Sequence, residues 1–306
     1  MWPRQVIARI EGGLGNQLFQ YAAARSLADR LNCELALDLR GLAENGDRPY
    51  QLDLYKTRCV IADTALLDRL PPWRSSRASR VRSRIAQCLP DIYSYPVFWP
   101  NDFSYDPRFD CIKRPVFMVG YWQTEKYFSW NRSHLLQDLQ LRVPLNPRHS
   151  VLTRMSSVNS AALHVRRGDY VSNPAAAEFH GTCDTAYYMQ AVAELKNRQT
   201  DVELFVFSDE PEWARANLKF DVPTHVVDCH TPEQGHLDLE LMRHCQHHII
   251  ANSSFSWWGA WLCESSGQHV YAPQRWFQDA GTNTSDVIPP RWHIVGAERG
   301  RTGTHI

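Results

Sequence analysis

Five short apolar runs in the second half of the chain constrain the fold more than any other feature. They read "AALHV" (161–165), "VELFVFSD" (202–209), "THVVD" (224–228), "HHIIAN" (247–252) and "HVYAP" (269–273). Each has strand length rather than helix length. Between them lie "DTAYYMQAVAELKNRQ", "PEWARANL", "HLDLELMRHC" and "SSFSWWGAWLCES", which carry helix signals. Asp184 is placed to cap the first, and Pro211 opens the second. Strands alternating with helices predict an α/β fold with a parallel, doubly wound sheet.

The first half begins the same way. "VIARI" (Val6 to Ile10) reads as a buried strand, and "EGGLGNQ" follows as a glycine-rich turn. Tyr21, Ala24, Ala28 and Leu31 recur at steps of three and four, which predicts a helix with one apolar face. "CELALDL" alternates as a strand, completing a βαβ start. "VFMVGYW" (Val116 to Trp122) predicts another strand, and "VPLNPRHS" (Val143 to Ser150) a boundary. With 306 residues, two domains are expected, 1–148 and 149–306, with the last residues packing back on the first. Residues 49–109, rich in Pro, Trp, Tyr and Arg, show little periodicity and are read as loops.

In doubly wound sheets, ligands bind beyond the carboxyl ends of the strands. Arg166 and Arg167 follow "AALHV" at such an end. Arginine offers a donor fork that matches phosphate oxygens, and Asp169 is near enough in sequence to hold one guanidinium. Taken alone, this reads better as a surface ion pair on a strand-to-loop bend. A second motif, Asn252–Ser253–Ser254, stands where a helix begins, a position that suits either simple capping or phosphate binding. The "GGLGN" turn lacks both the dinucleotide glycine spacing and the P-loop lysine. The 33 basic and 33 acidic residues balance, so nucleic acid is not an expected partner and an anionic ligand must be met locally.

Metal is not expected. Asp238 and Glu240 sit two apart in a helical pattern and point to different sides. His244, His247 and His248 straddle a helix end and a strand start. The eight cysteines contain no C-x-x-C pair and read as reduced thiols. Trp257, Trp258 and Trp261, at helical spacing, read as core.

"GGLGNQLFQYA", "GYWQTEKYF", "HVRRGDY" and "ANSSFSWWGAWL", in that order from about Ile10 to Trp276, resemble the bacterial α-1,2-fucosyltransferases, the inverting enzymes of glycosyltransferase family 11. The resemblance implies a GT-B type fold, two Rossmann-like domains facing a cleft. It implies GDP-L-fucose as donor and no metal or other cofactor. It implies that Arg166 contacts the β-phosphate, that His164 lies near the nucleotide, and that Asp238 reads guanine. It places Asn252, Ser253, Ser254 and Phe255 at the donor, Asn16 near the reacting diphosphate, and Trp122 and Gln123 at the acceptor.

The acceptor implied is a β-galactoside oligosaccharide or a lipid-linked glycan. His180, in "HGTC", ranks first as the general base, with a packing or acceptor-binding role as its alternative and Asp169 as a further catalytic candidate. Another GDP-sugar transferase on the same fold, or a nonenzymatic glycan-binding protein, would carry many of the same features. The start, "MWPRQVIARIEGG", has no secretory pattern, and no apolar run approaches membrane-span length, so a cytoplasmic location is expected. Arginines between Arg74 and Arg84 lie in a segment with no acid from Arg69 to Leu89. That segment reads either as solvated surface or as a weak peripheral contact with anionic lipid at the inner membrane face.

Overall fold

The computed structural model describes residues 4–45, 48–68, 70, 96–172, 174–279 and 281–296. The basic segment from Arg74 to Arg84, the final residues 297–306 and the side chain of Asp169 lie outside the described set. The chain divides into two units, Met1–Pro144 with Asn283–Val287, and Leu145–Thr282 with Ile288–Ile306. The excursion of 283–287 into the first unit has a polar anchor. Asp286 accepts from the Tyr105 backbone N–H at 2.9 Å and from Lys126 Nζ at 2.5 Å.

The first unit contains β1 (Gln5–Arg9), α1 (Leu14–Leu31), β2 (Glu34–Asp38), α2 (Arg40–Asn45), β3 (Val60–Ile61), α3 (Thr64–Leu67), β4 (Val97–Phe98), β5 (Phe117–Met118) and α4 (Arg132–Asp138). Its sheet is parallel, in the order β3-β2-β1-β5-β4. Two expectations need correction. Helix α1 is buried nearly all round, with Gln17 and Gln20 as well as its alanines and aromatics inside. The buried glutamines bond the surrounding backbone, although Gln20 Nε2 has no partner among the described residues. Gln17 Nε2 donates to the Gly12 and Pro49 carbonyls, and Gln20 Oε1 accepts from the Glu11 N–H. The predicted strand from Val116 to Trp122 pairs only at Phe117 and Met118. Positive φ at Gly120 (138°) and Trp122 (57°) turns the chain out of the ladder.

The second unit contains α5 (Ser150–Ser157), β6 (Asn159–Val165), α6 (Gly168–Ser172), α7 (Pro174–His180), α8 (Thr185–Lys196), β7 (Val202–Ser208), α9 (Pro211–Asn217), β8 (Thr224–Val227), α10 (Gly235–His244), β9 (His247–Ile249), α11 (Ser254–Trp261), β10 (Val270–Pro273) and β11 (His293–Val295). Asp184 caps α8 by accepting from the Tyr187 N–H, and Pro211 stands in the first turn of α9. Residues on alternate sides of the strands build two cores. Leu163, Val165, Leu204 and Val206 join Tyr188, Ala191 and Leu195 of α8. Ala162, Phe205 and Phe207 join Met155, Leu241 and Met242 from α5 and α10. Burial of both faces is what a parallel sheet requires. Trp257, Trp258 and Trp261 are fully buried, with Trp257 stacked on Trp261 and Trp258 meeting both edge to face.

The strand order of this unit is β11-β10-β9-β6-β7-β8, all parallel. It matches the dinucleotide-binding order 3-2-1-4-5-6, with the reversal of direction between β6 and β9. Among the described residues, no helix is long and apolar enough to cross a membrane.

Candidate active site

The reversal point fixes where ligand-binding loops lie. The loop after β6 begins at Arg166, and the loop after the neighbouring β9 carries Asn252 and Ser253 into α11. The two arginines are then held differently. Arg167 donates from Nε to Glu210 at 3.0 Å and lies with its guanidinium carbon 4.0 Å from the Trp213 ring centre. Arg166 Nη1 pairs with Asp209 Oδ2 at 2.9 Å, and its guanidinium carbon lies 5.4 Å from the Tyr170 ring centre. Asp209 also accepts from the Arg167 backbone N–H at 2.9 Å, so one carboxylate fixes both the loop and the guanidinium of Arg166. Gly168 makes room for it, because a Cβ there would stand 2.7 Å from Asp209 Oδ2.

The opposite loop offers donors. Ser253 is the N-cap of α11, with extended backbone and no side-chain capping bond. Its hydroxyl is therefore not spent on the helix, and the N–H groups of the first turn and the positive helix end add to it. Ser254 and Phe255 follow, half-buried, with the Phe255 ring 5.5 Å from that of His164. Asn252 does something else. Its Nδ2 lies 2.9, 3.2 and 3.3 Å from the carbonyls of His180, Gly181 and Trp276, tying the end of α7 to the sheet edge. A cavity of about 220 Å³ opens there, lined in part by His180, Asp184, Asn252, Arg275 and Gln278.

Two titrating groups complete this unit. His164 is buried, its Nδ1 has no hydrogen-bond partner among the described residues, and burial with Arg166 nearby pushes its pKa down to about 3. It is a neutral imidazole with an unused nitrogen. Asp238, in the first turn of α10, accepts from His230 Nδ1 at 2.6 Å. Burial raises its carboxyl above the ordinary range although His230 pulls the other way. Glu240 turns instead toward Arg243 at 3.5 Å, so the D-x-E pair does not converge. His180 stacks flat on Tyr170, with centroids 4.5 Å apart and planes 3° from parallel.

The first unit has its own reversal point, between β1 and β5. Asn16, past the glycine turn, and Gln123, past β5, meet there, with Gln123 Nε2 donating to Asn16 Oδ1 at 2.9 Å. Gly12 adopts φ +77°, and a Cβ on it would meet Asn16 Nδ2 at 2.9 Å, so the turn shapes this corner. The acceptor assignment of Trp122 is corrected. The residue is 2% exposed, and its ring is enclosed by Phe98, Phe109 and Tyr127, leaving no face for a sugar.

Asp209, Glu210, Tyr170 and His230 were not singled out from the sequence. The acids end "VELFVFSDE", at the carboxyl end of the strand beside β6, which is the one local signal that marks them.

The family model described as Glycosyl transferase family 11 matches residues 87–295. An α-1,2-colitosyltransferase of Escherichia coli is 33% identical over 297 residues, covering 94% of this chain and 97% of that protein. The O-antigen biosynthesis glycosyltransferase WbnK of Escherichia coli is 30% identical, covering 92% and 98%. Among solved structures, a mutant of Arabidopsis thaliana FUT1 in complex with GDP superposes with a TM-score of 0.53 at 14% identity, over 90% of this chain and 71% of that one. The two Rossmann-like units are those of a GT-B type fold. With its two Rossmann-like sheets and its match to the family over most of its length, the chain belongs to glycosyltransferase family 11.

Proposed function

We propose that this glycosyltransferase moves L-fucose from GDP-β-L-fucose to the 2-hydroxyl of a β-galactoside. The anomeric carbon inverts to give an α-1,2 linkage, in the assembly of a surface glycan on the cytoplasmic side of the membrane. The observation that carries the reading is the pairing of Arg166 with Asp209 at the carboxyl end of β6, beside the strand that leads into Ser253. As the bond between the anomeric carbon and the phosphate oxygen breaks, its electron pair goes to GDP. A fixed guanidinium and a helix N-terminus stabilise that charge without a reorganisation cost. In this reading Asp238 accepts from the guanine edge, neutral His164 borders the nucleotide, and no metal takes part.

The acceptor hydroxyl bonds to the anomeric carbon and gives its proton to a base, for which His180 is the candidate. Its stacking on Tyr170, the ring that also carries Arg166, supports that role.

A second reading, transfer of L-colitose, is favoured by the 33% identity to a colitosyltransferase. Colitose is fucose without its 3-hydroxyl. A site that bonds this hydroxyl rejects the deoxy sugar by about 10⁴-fold, whereas an apolar one discriminates weakly. Turnover of GDP-fucose and GDP-colitose with a panel of β-galactosides, with and without EDTA, and with product linkage read by NMR, tests both. Absence of α-1,2-linked fucose from every product would remove the first reading.

A further inference from the structure

We infer that His149, Cys229 and His230 form a binding site for a divalent transition-metal ion of the Zn²⁺ class. His149 stands immediately before α5, and Cys229 and His230 follow β8. One ligand atom from each lies within 4.8 Å of the others. Cys229 Sγ is 3.9 Å from His149 Nε2, and the two imidazole centroids are 5.5 Å apart. Zinc–sulfur and zinc–nitrogen bonds of about 2.3 and 2.0 Å at a tetrahedral angle put sulfur and nitrogen about 3.6 Å apart. The Cys229–His149 pair needs to close by only a few tenths of an ångström.

Three further features point the same way. His230 Nδ1 bonds Asp238 Oδ1 at 2.6 Å, the carboxylate–histidine arrangement that fixes a tautomer and leaves Nε2 as the lone-pair nitrogen. His149 presents Nε2 to the Cys229 sulfur, so its lone pair faces the thiol when the proton sits on Nδ1. Cys229 is exposed, which gives an ion a way in and leaves a fourth position for water. One thiolate and two imidazoles select zinc, cobalt, nickel or copper over magnesium or calcium. The histidines that the sequence offered for zinc are already bonded. His244 Nδ1 bonds the Glu240 carbonyl, His247 Nε2 bonds Asn159, and His248 Nε2 bonds the Met242 carbonyl.

Binding exchanges the thiol proton for the ion, so one proton is released from Cys229. The test is a titration of the full chain with Co²⁺ under a phosphine reductant that keeps the thiols reduced. One equivalent is expected to produce a near-ultraviolet thiolate-to-cobalt band and intense visible bands of a tetrahedral centre, both abolished by Zn²⁺ and unaffected by Mg²⁺. Cys229→Ser should remove the thiolate band, and its surface position lets circular dichroism confirm an intact fold. Asp238→Asn should weaken cobalt affinity by about 10–100-fold, as loss of an outer-shell partner does. No thiolate band, the same band in Cys229→Ser, or displacement by Mg²⁺ would overturn the assignment, leaving His149 and His230 as a packed ring pair.

Discussion

Tyr170 and His180 stack face to face, and the same Tyr170 ring lies against the Arg166 guanidinium. Phe277 borders His180 in turn, at 5.4 Å between centroids. The contacts join the end of β6 to the end of α7 through rings rather than through backbone. Tyr170 thereby restrains both a cation proposed for the leaving group and an imidazole proposed for the acceptor. Its removal should lower kcat more than donor affinity. An exposed cation–π contact and an aromatic pair are worth about 0.5–1 and 0.5–1.5 kcal/mol, so Tyr170→Ala should lose about tenfold in kcat. Tyr170→Phe should retain it. Equal loss in both variants would show that the hydroxyl, not the stack, matters.

Arg166→Ala should lower transfer about 100-fold or more, the cost of losing one preorganised donor to developing charge. Arg166→Lys should recover little, because an ammonium has no planar fork. Asp209→Asn should fall between wild type and Arg166→Ala, since it keeps the arginine but loosens it. Initial rates at saturating donor and acceptor decide the order.

Asp238→Asn should weaken GDP binding by about 1.5–3 kcal/mol, the value of a hydrogen bond to a charged group. The raised carboxyl also sets a pH dependence. The ionised form is the acceptor, so GDP affinity should fall on acidification, beginning at a higher pH than an ordinary aspartate would give. The asparagine variant should lose that portion of the slope. Calorimetric titration with GDP between pH 7.5 and 4.5 measures both.

Acid should also destabilise the fold through its buried histidines. His164 falls to about 3, and His247 and His248 to about 4. A lowered histidine takes up its proton more readily when unfolded, so stability rises with pH from the folded value up to the unfolded one near 6.5. At pH 5 His164 alone should cost roughly 2 kcal/mol relative to pH 7.5. Urea midpoints across that range should fall steadily, and His164→Gln should flatten the trend.

Trp122→Ala should act on stability. Emptying a fully enclosed aromatic site costs about 3–5 kcal/mol. Near-wild-type kcat and acceptor KM in the folded fraction, together with a lower urea midpoint, would agree with its burial among Phe98, Phe109 and Tyr127.

Most of the second unit was legible in the sequence because five of its strands are bounded apolar runs, and Asp184 and Pro211 mark two of its helix starts. Arg166 and Ser253 were found because they stand at strand ends. What local reading misses is anything set by a distant partner. Asp209 lies forty-two positions from Arg167, to whose backbone it bonds, and no periodicity joins them. "GDYVSNPAAAEFH" hides α6 and α7 behind Gly, Asn and Pro, which argue against helix. Trp122 was placed at the acceptor by the family resemblance alone. Its positive φ and the aromatic residues around it decided otherwise.

The placement of β6 between β7 and β9 has a consequence in time. The neighbour that brings Ser253 to Arg166 is synthesised only after β7, β8 and five helices have left the ribosome. A nascent chain can form the β6–β7 pair early, yet it holds Arg166 and Asp209 with nothing opposite them until β9 inserts. Contacts of such sequence separation close slowly. Anion binding should therefore be among the last properties a refolding molecule acquires, well after its helical signal has returned.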